Sequence, residues 1–318
     1  MKKYLYLLSK LLLVCIIYSS LVLVRAQTAK AQSISLSLTP SLTELVIMPG
    51  KEFTQRYLLT NQGQDTVIKV SIAPFIQDDE VGNVQLQKDL LTYDPANIKD
   101  WFIFSKPKIA PGGSFFLPRG STSEIIVSIS PPPDAPQGDY YLTLLFETDV
   151  NALVGGQGLV NQAKIGTNIL LTVSKDGMPK KESTIVEFVA PRVIDSLMPL
   201  VYKVKIRNSG TAFFKPKGTI SVSQTLNEIF TLPLAPFNIL AGTTRQIPCM
   251  NEEKLVACQV PQKMLLGLYR ANLKYNIEDT DLSYQKTTYT LAFPFLILFS
   301  LIASLTVLSL IKKKVKRK

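Results

Sequence analysis

Hydrophobic and polar positions alternate with a period of two over most of the chain between residues 33 and 290. In the segment 200–207, Tyr202, Val204 and Ile206 alternate with lysine and arginine. A period of two places successive side chains on opposite faces of a β-strand. Proline, glycine and asparagine interrupt the alternation every few residues, so the strands are short. Many short strands separated by turn residues are typical of a β-sandwich.

The alternating segments form two sets. We predict strands at 53–60, 66–72, 81–86, 101–104, 123–130, 140–147 and 168–174 in the first set, and at 184–189, 200–207, 218–223, 229–234, 266–275 and 284–290 in the second. No segment between the two apolar ends has a convincing helical period. The pattern therefore predicts an all-β exported region.

Three short motifs recur, once in each set of strands. They are Asn61-Gln62-Gly63 with Asn208-Ser209-Gly210, Gly120-Ser121-Thr122 with Gly242-Thr243-Thr244, and Gly138-Asp139-Tyr140 with Gly267-Leu268-Tyr269. The recurrence predicts two tandem Ig-like β-sandwich domains, at 32–175 and 182–290. Coincidence is the alternative, because asparagine and glycine recur wherever a turn needs a positive φ.

The C-terminal end is apolar. Residues 291–311 carry no charge over 21 positions, which as a helix would measure about 31 Å, the hydrocarbon thickness of a bilayer. Six basic residues follow, and such residues stay on the cytoplasmic side. We therefore predict a transmembrane helix at 291–311 and a cytoplasmic tail at 312–318; a buried core helix is the alternative. The residues that set this topology are Lys312, Lys313, Lys314, Lys316, Arg317 and Lys318.

The N-terminal end has the pattern of a secretory signal peptide at 1–31. Lys2 and Lys3 precede an apolar run, and Ala29-Lys30-Ala31 fits a small-x-small cleavage site. An uncleaved anchor is the alternative, since the apolar run is long. Together the two ends predict a single-pass cell-membrane protein whose N-terminal domains are extracellular and whose tail is cytoplasmic.

Composition narrows the possible chemistry. The net charge of +11 is concentrated at the two ends, and the segment between them carries 24 basic against 24 acidic residues. Nucleic-acid binding needs a basic face on the folded part, so we expect none. The chain has no histidine, which excludes Ser-His-Asp and Cys-His catalysis and imidazole metal ligands. We expect no enzyme activity, no cofactor and no metal.

Two cysteines are candidates for a structural disulfide. Cys249 and Cys258 lie close together in the predicted exported region, where thiols oxidise. A loop of about ten residues would stabilise the fold by roughly 3 kcal/mol in the chain-entropy estimate. Two reduced thiols are the alternative.

Three other patterns have structural explanations that we favour over functional ones. The acidic clusters at 77–80 and 278–281 lack the spacing of a calcium loop and suit solvated turns. The glycine-rich segment 153–159 precedes a strand rather than a phosphate-binding helix, so we expect a loop. The aromatic residues of 101–116 could stack on a glycan, but they more often fill a sandwich core.

The order of signal peptide, two sandwiches, one span and a basic tail resembles the Gram-positive surface proteins that partner WxL-domain proteins. Pro49-Gly50 followed by Asn61 and by Gly82-Asn83 resembles part of that family's first domain. Pro132-Pro133-Asp134 followed by Gly138-Asp139-Tyr140 resembles a later stretch. The resemblance implies a non-catalytic module that binds cell wall or a surface partner.

Two functions remain open at this point. The first is a membrane-anchored surface protein that displays Ig-like domains to bind a surface or secreted protein or a cell-wall polymer. The second is an envelope chaperone, or assembly factor for exported proteins, that pairs an exposed sheet edge with strands of its clients.

Overall fold

The computed structural model describes residues 36–315 apart from 88–96, 150–162, 225–226, 262–263 and 279. The predicted signal peptide, the glycine-rich segment 153–159 and Lys316, Arg317 and Lys318 lie outside the described residues. The described strands are β1 (Leu36–Thr39), β2 (Leu42–Ile47), β3 (Phe53–Asn61), β4 (Thr66–Gln77), β5 (Val84–Leu86), β6 (Phe102–Lys106), β7 (Ser114–Leu117), β8 (Thr122–Ile129), β9 (Gly138–Thr148), β10 (Lys164–Val173), β11 (Ser183–Val189), β12 (Val193–Asp195), β13 (Val201–Asn208), β14 (Pro216–Gln224), β15 (Asn227–Pro233), β16 (Thr244–Gln246), β17 (Cys249–Asn251), β18 (Lys254–Val256), β19 (Cys258–Gln259), β20 (Gly267–Ile277) and β21 (Ser283–Phe293). A 3-10 helix covers Ile98–Trp101 and an α-helix, α1, covers Phe295–Val315.

Strands β1 to β10 form the first sandwich. One sheet has the order β1-β3-β8-β6, and the other has the order β2-β10-β9-β4-β5 with β7 also paired to β4. This is the arrangement of an Ig-like sandwich. Alternate residues of both sheets fill one core, which includes Tyr57, Ile68, Val127, Leu144 and Ile169.

Strands β11 to β21 form the second sandwich on the same plan. Its sheets have the orders β11-β13-β16 and β12-β21-β20-β14-β15, and β19 adds to β13. A separate core includes Phe188, Val204, Ile220, Leu273 and Tyr275. The prediction of an all-β, Ig-like fold is confirmed.

The first strand of each sandwich is divided between its two sheets by a proline. Pro40 separates β1, which pairs antiparallel with β3, from β2, which pairs parallel with β10. Pro191 separates β11 from β12 in the same way. Because proline has no N–H, the ladder breaks there and the chain changes sheet.

The recurring asparagines lie at equivalent places and are fully buried. The Asn61 side chain donates to the carbonyl oxygens of Gln64 and Leu117 at 2.6 and 3.1 Å, and its oxygen accepts from Gly63 N. Asn208 likewise donates to Ala212 and Ile239, both at 2.8 Å, and accepts from Gly210 N. From inside the sandwich, each asparagine side chain thus forms hydrogen bonds with the buried backbone groups of a turn.

Several predicted residues have structural places. Cys249 and Cys258 are joined by a disulfide. Trp101, Phe102 and Phe104 are buried in the first core, whereas Phe116 is exposed. The aromatic side chains at Trp101–Phe104 therefore fill the core rather than a surface patch.

Helix α1 begins at Phe295, four residues after the predicted start of the span, because the residues from Leu291 to Phe293 continue β21 and pair with β12. Among the described residues, no helix is both long enough and apolar enough to cross a membrane. The sequence predicts a single-pass cell-membrane protein with extracellular domains and a cytoplasmic tail. This predicted localisation is therefore wrong.

Replacing either buried asparagine should destabilise its own sandwich. Asn61→Ala and Asn208→Ala each remove a side chain that satisfies three backbone groups, so we expect each to lower the free energy of unfolding by about 2–3 kcal/mol. Urea unfolding measures this. Asn227→Ala, at an exposed strand position, is the control and should change stability by less than about 0.5 kcal/mol.

Candidate functional site: two open strand edges

The last strand of each sandwich is paired along only part of one side. In β10 the partner β2 covers Asn168 to Val173, so the first four residues, Lys164 to Thr167, have β9 on one side and no paired strand on the other among the described residues. In β21 the partner β12 covers only the last three residues. We call these unpaired stretches, 164–167 and 283–290, the open edges.

The direction of the backbone groups at each open edge follows from the first residue that pairs with the short neighbouring strand, β2 or β12. Asn168 N donates to Ser41 O at 3.2 Å, and Leu291 N donates to Arg192 O at 2.8 Å. Because backbone groups alternate in direction along a strand, the N–H and C=O groups at every second position before these two residues also point outward, away from the paired strand. These positions are Lys164 and Gly166 in β10, and Ser283, Gln285, Thr287 and Tyr289 in β21.

A buried threonine lies at the end of each open edge. Thr167 and Thr290 directly precede the first ladder residue and are 0% and 1% exposed. Neither hydroxyl has a hydrogen-bond partner among the described residues. Buried hydroxyls are normally paired, so both edges carry an unused donor and acceptor where strand pairing stops.

The side chains around the two open edges differ. At the first edge Lys164 forms an ion pair with Glu147, Gly166 has no side chain, and Ile165 packs against the core. At the second edge Tyr284 stacks on Tyr275 with ring centroids 5.3 Å apart. An incoming strand would therefore meet an ion-paired lysine and a glycine at the first edge and polar, aromatic surface at the second.

A network of hydrogen bonds centred on Asp139 joins the two sandwiches. The Asp139 carboxylate accepts from the hydroxyls of Thr172 and Tyr141, both at 2.5 Å, and from Phe213 N at 2.6 Å. Burial raises the pKa of Asp139, and the three donors offset part of that shift. The Tyr141 hydroxyl also accepts from Ala241 N at 2.7 Å.

A second set of polar contacts reinforces this interface. Glu44 accepts from Lys215 Nζ at 2.6 Å and from Asn238 Nδ2 at 2.5 Å. Glu80 forms an ion pair with Lys205. Phe75, Leu170 and Leu240 contribute to a small apolar cluster between the sandwiches. The contacts hold the first sandwich's outer sheet face against the second sandwich.

The predicted site residues lie away from the open edges. The disulfide Cys249–Cys258 links β17 to β19, and such bonds persist in oxidising compartments. Asp79, in the first acidic cluster, accepts from the backbone N–H groups of Val81, Gly82 and Asn83, which stabilises a turn. The open edges could not be found from the sequence, because alternation gives the face of a side chain but not which strands pair.

No protein-family model matches the chain, and no curated protein matches it. Solved structures that are similar include the class 5 fimbriae chaperone CfaA, at 13% identity and a TM-score of 0.39, covering 80% of this chain and 99% of that one. The E. coli chaperone DraB matches at 9% identity and a TM-score of 0.35, with 80% and 96% coverage. The Pseudomonas aeruginosa chaperone CupB2 matches at 8% identity and a TM-score of 0.32, with 80% and 99% coverage. Similarities at these scores do not by themselves establish a function.

The stability of the interface should depend on the protonation of Asp139. Since its pKa is raised in the folded protein, the folded state binds a proton more readily than the unfolded chain, and this residue makes the protein more stable as the pH falls. Asparagine does not titrate. The wild type should therefore gain stability relative to Asp139→Asn between pH 7 and pH 4, as measured by urea unfolding at each pH.

Asp176→Asn provides a control of opposite sign. Hydrogen bonds from Ser174 and from Met178 N lower the pKa of Asp176, so its contribution to stability is lost as the pH falls through that lowered pKa. The wild type should lose stability relative to this variant mainly below about pH 4, the ordinary pKa of an aspartate, so the urea series for this pair extends to about pH 2. If the stability of the wild type relative to Asp139→Asn stays constant or decreases as the pH falls from 7 to 4, the raised pKa of Asp139 is contradicted.

Proposed function

We propose that this protein is a non-catalytic binding module that takes up extended segments of other proteins as added strands at its open edges. The observation that carries the proposal is the row of outward backbone N–H and C=O groups in β21, at Ser283, Gln285, Thr287 and Tyr289. Unpaired groups of this kind are the template for strand addition. The protein would act as an assembly factor that holds client strands.

The repetition of the arrangement supports the proposal. Both sandwiches divide their first strand at a proline and leave the start of their last strand uncovered. Both also place a buried threonine beside the open edge, Thr167 or Thr290, whose hydroxyl has no hydrogen-bond partner in the described part of the chain. An added strand would supply groups that can bond these hydroxyls, which would remove the penalty of leaving them unpaired.

The chemistry of the described residues favours binding over catalysis. The chain has no histidine. Asp139, a partly buried carboxyl group with a raised pKa, already has its oxygens bonded to Thr172, Tyr141 and Phe213. It therefore serves the interface between sandwiches rather than proton transfer.

The disulfide suggests where partners would be met. A bond such as Cys249–Cys258 is typical of an oxidising compartment. Secreted or surface proteins pass through such compartments, and they expose strands before they assemble. The partners we propose are segments of such proteins.

The test begins with peptides selected for binding to the full chain from a displayed random library. Amide exchange, followed residue by residue by NMR, is then compared with and without a selected peptide. We expect slower exchange at outward positions, Gln285 and Thr287 in β21 or Gly166 in β10. The even-numbered neighbours in β21, already bonded to β20, should change little. Tight binding that leaves all outward amides unprotected would contradict strand addition.

A pair of proline substitutions separates binding from folding. Gln285→Pro removes an outward N–H that has no paired strand beside it among the described residues, so it should leave the free energy of unfolding within about 1 kcal/mol and weaken peptide binding about tenfold or more. Lys286→Pro removes an N–H directed to β20 and should destabilise the protein by about 3 kcal/mol. Urea unfolding and peptide titration measure the two effects. Equal peptide affinity for wild type and Gln285→Pro would place binding at the edge of β10 or elsewhere.

A further inference from the structure

A crevice of about 370 Å³ lies between the two sandwiches. One wall is the outer face of the first sandwich's larger sheet, and the other is the segment of the second sandwich around residues 236–240. Its volume lies within the range of sites that bind small molecules or single side chains. The nonpolar residues that line it include Leu42, Phe75, Val84, Leu170, Phe237 and Leu240.

Three polar side chains of the crevice already donate hydrogen bonds within the protein. The Gln77 amide donates to the carbonyls of Asp79 and Thr244 at 2.6 and 2.8 Å. Lys215 donates to Glu44 at 2.6 Å. Arg245 donates to Asn238 O at 2.6 Å and lies 4.5 Å from the centre of the Phe237 ring. These contacts occupy some of the donors that a ligand would otherwise use.

One acceptor in the crevice wall has no partner. Asn238 is 8% exposed, and its Oδ1 is buried without a hydrogen bond among the described residues. The orientation of the amide is set by Glu44, whose carboxylate accepts from Asn238 Nδ2 at 2.5 Å. An unpaired buried acceptor is unfavourable by about 1–3 kcal/mol, so a ligand that brings a donor would be favoured here.

The charges at the crevice are largely offset by neighbours. Glu44 faces Lys215, and Asp79 interacts electrostatically with Arg245. A neutral group that is flat, apolar and carries one donor therefore suits the walls better than a carboxylate or phosphate does. Aromatic rings with a hydroxyl or an indole N–H have this chemistry.

The crevice is next to the first open edge. Asn168, which lines the crevice, is the first residue of β10 paired with β2 and lies two residues after Gly166. At about 3.3 Å per residue, a strand added along 164–166 would end about 7 Å from Asn168. Its next side chain could then enter the crevice.

We infer that the crevice binds a tyrosine or tryptophan side chain carried by the segment that adds to the edge of β10, with its O–H or N–H donated to Asn238 Oδ1. The source of the side chain rests on the proposed function. The ability of the crevice to bind the ring does not, so the two can be tested apart.

The test uses the full chain and three small probes, N-acetyltyrosinamide, N-acetylphenylalaninamide and N-acetylaspartate amide, followed by NMR titration. We expect the tyrosine probe to bind about tenfold more tightly than the phenylalanine probe, because only the former has a donor on its ring. Shifts should centre on Asn238, Leu240 and Asn168. Val84→Trp, which fills the crevice from an exposed position, should abolish binding, whereas the matched Val189→Trp on β11 should not.

Asn238→Leu removes the acceptor and should equalise the affinities of the tyrosine and phenylalanine probes. Equal affinities in the wild type, a preference for the aspartate probe, or shifts remote from the crevice would each overturn the inference. If the tyrosine probe binds as expected but selected peptides leave the outward amides of both β10 and β21 unprotected, the crevice stands and the strand-addition function fails. If peptides protect the edge of β10 but no probe binds, the strand-addition function stands and the inference about the crevice fails.

Discussion

The division of the first strand by a proline is the constraint on which the rest of the architecture depends. Pro40 and Pro191 cannot continue a ladder, so each first strand contributes one part to each of its two sheets. The part that joins the second sheet, β2 or β12, is shorter than the last strand it pairs with. The uncovered remainder becomes the open edge. The same break that closes each sandwich therefore also leaves an exposed edge on each.

The interface between the sandwiches places the crevice beside the first open edge. Asp139 sits at the start of β9, two residues before Tyr141, and both side chains bond to the second sandwich. Glu44 in β2 reaches Lys215 and Asn238 from the same sheet face. Because β2 also bounds the first open edge, the strand that limits the edge is the strand that anchors the neighbouring sandwich. Rigid placement of this kind lowers the entropy lost when a partner binds.

Much of the fold follows from the sequence, since its alternation is local. The predicted strand at 53–60 matches β3, and the predicted strand at 66–72 lies within β4, which continues to Gln77. The recurring Asn61 and Asn208 motifs indicated two related sets of strands, and both lie at the end of the equivalent strand. Their burial was not predictable, because an asparagine in a turn motif is usually solvated.

The site could not be predicted, because it depends on contacts far apart in the chain. Glu44 and Lys215 are 171 residues apart, and no periodicity relates them. The end of β21 shows the same limit: Leu291 belongs to an uncharged run and was assigned to a helix, but pairing with β12 keeps it in a strand. Pairing between distant segments overrides local composition in both cases.

The short length of the open edges determines what kind of binding they can support. The first edge offers two outward residues and the second offers four, and each hydrogen bond contributes only about 1 kcal/mol net. Ordering a bound segment costs about 1–2 kcal/mol per residue, so backbone pairing alone leaves little surplus. The exposed charge of Lys286 also discourages pairing between copies of the chain. Affinity must therefore come from side chains. The Thr167 and Thr290 hydroxyls, which have no hydrogen-bond partner among the described residues, and the crevice beside Asn238 can provide it.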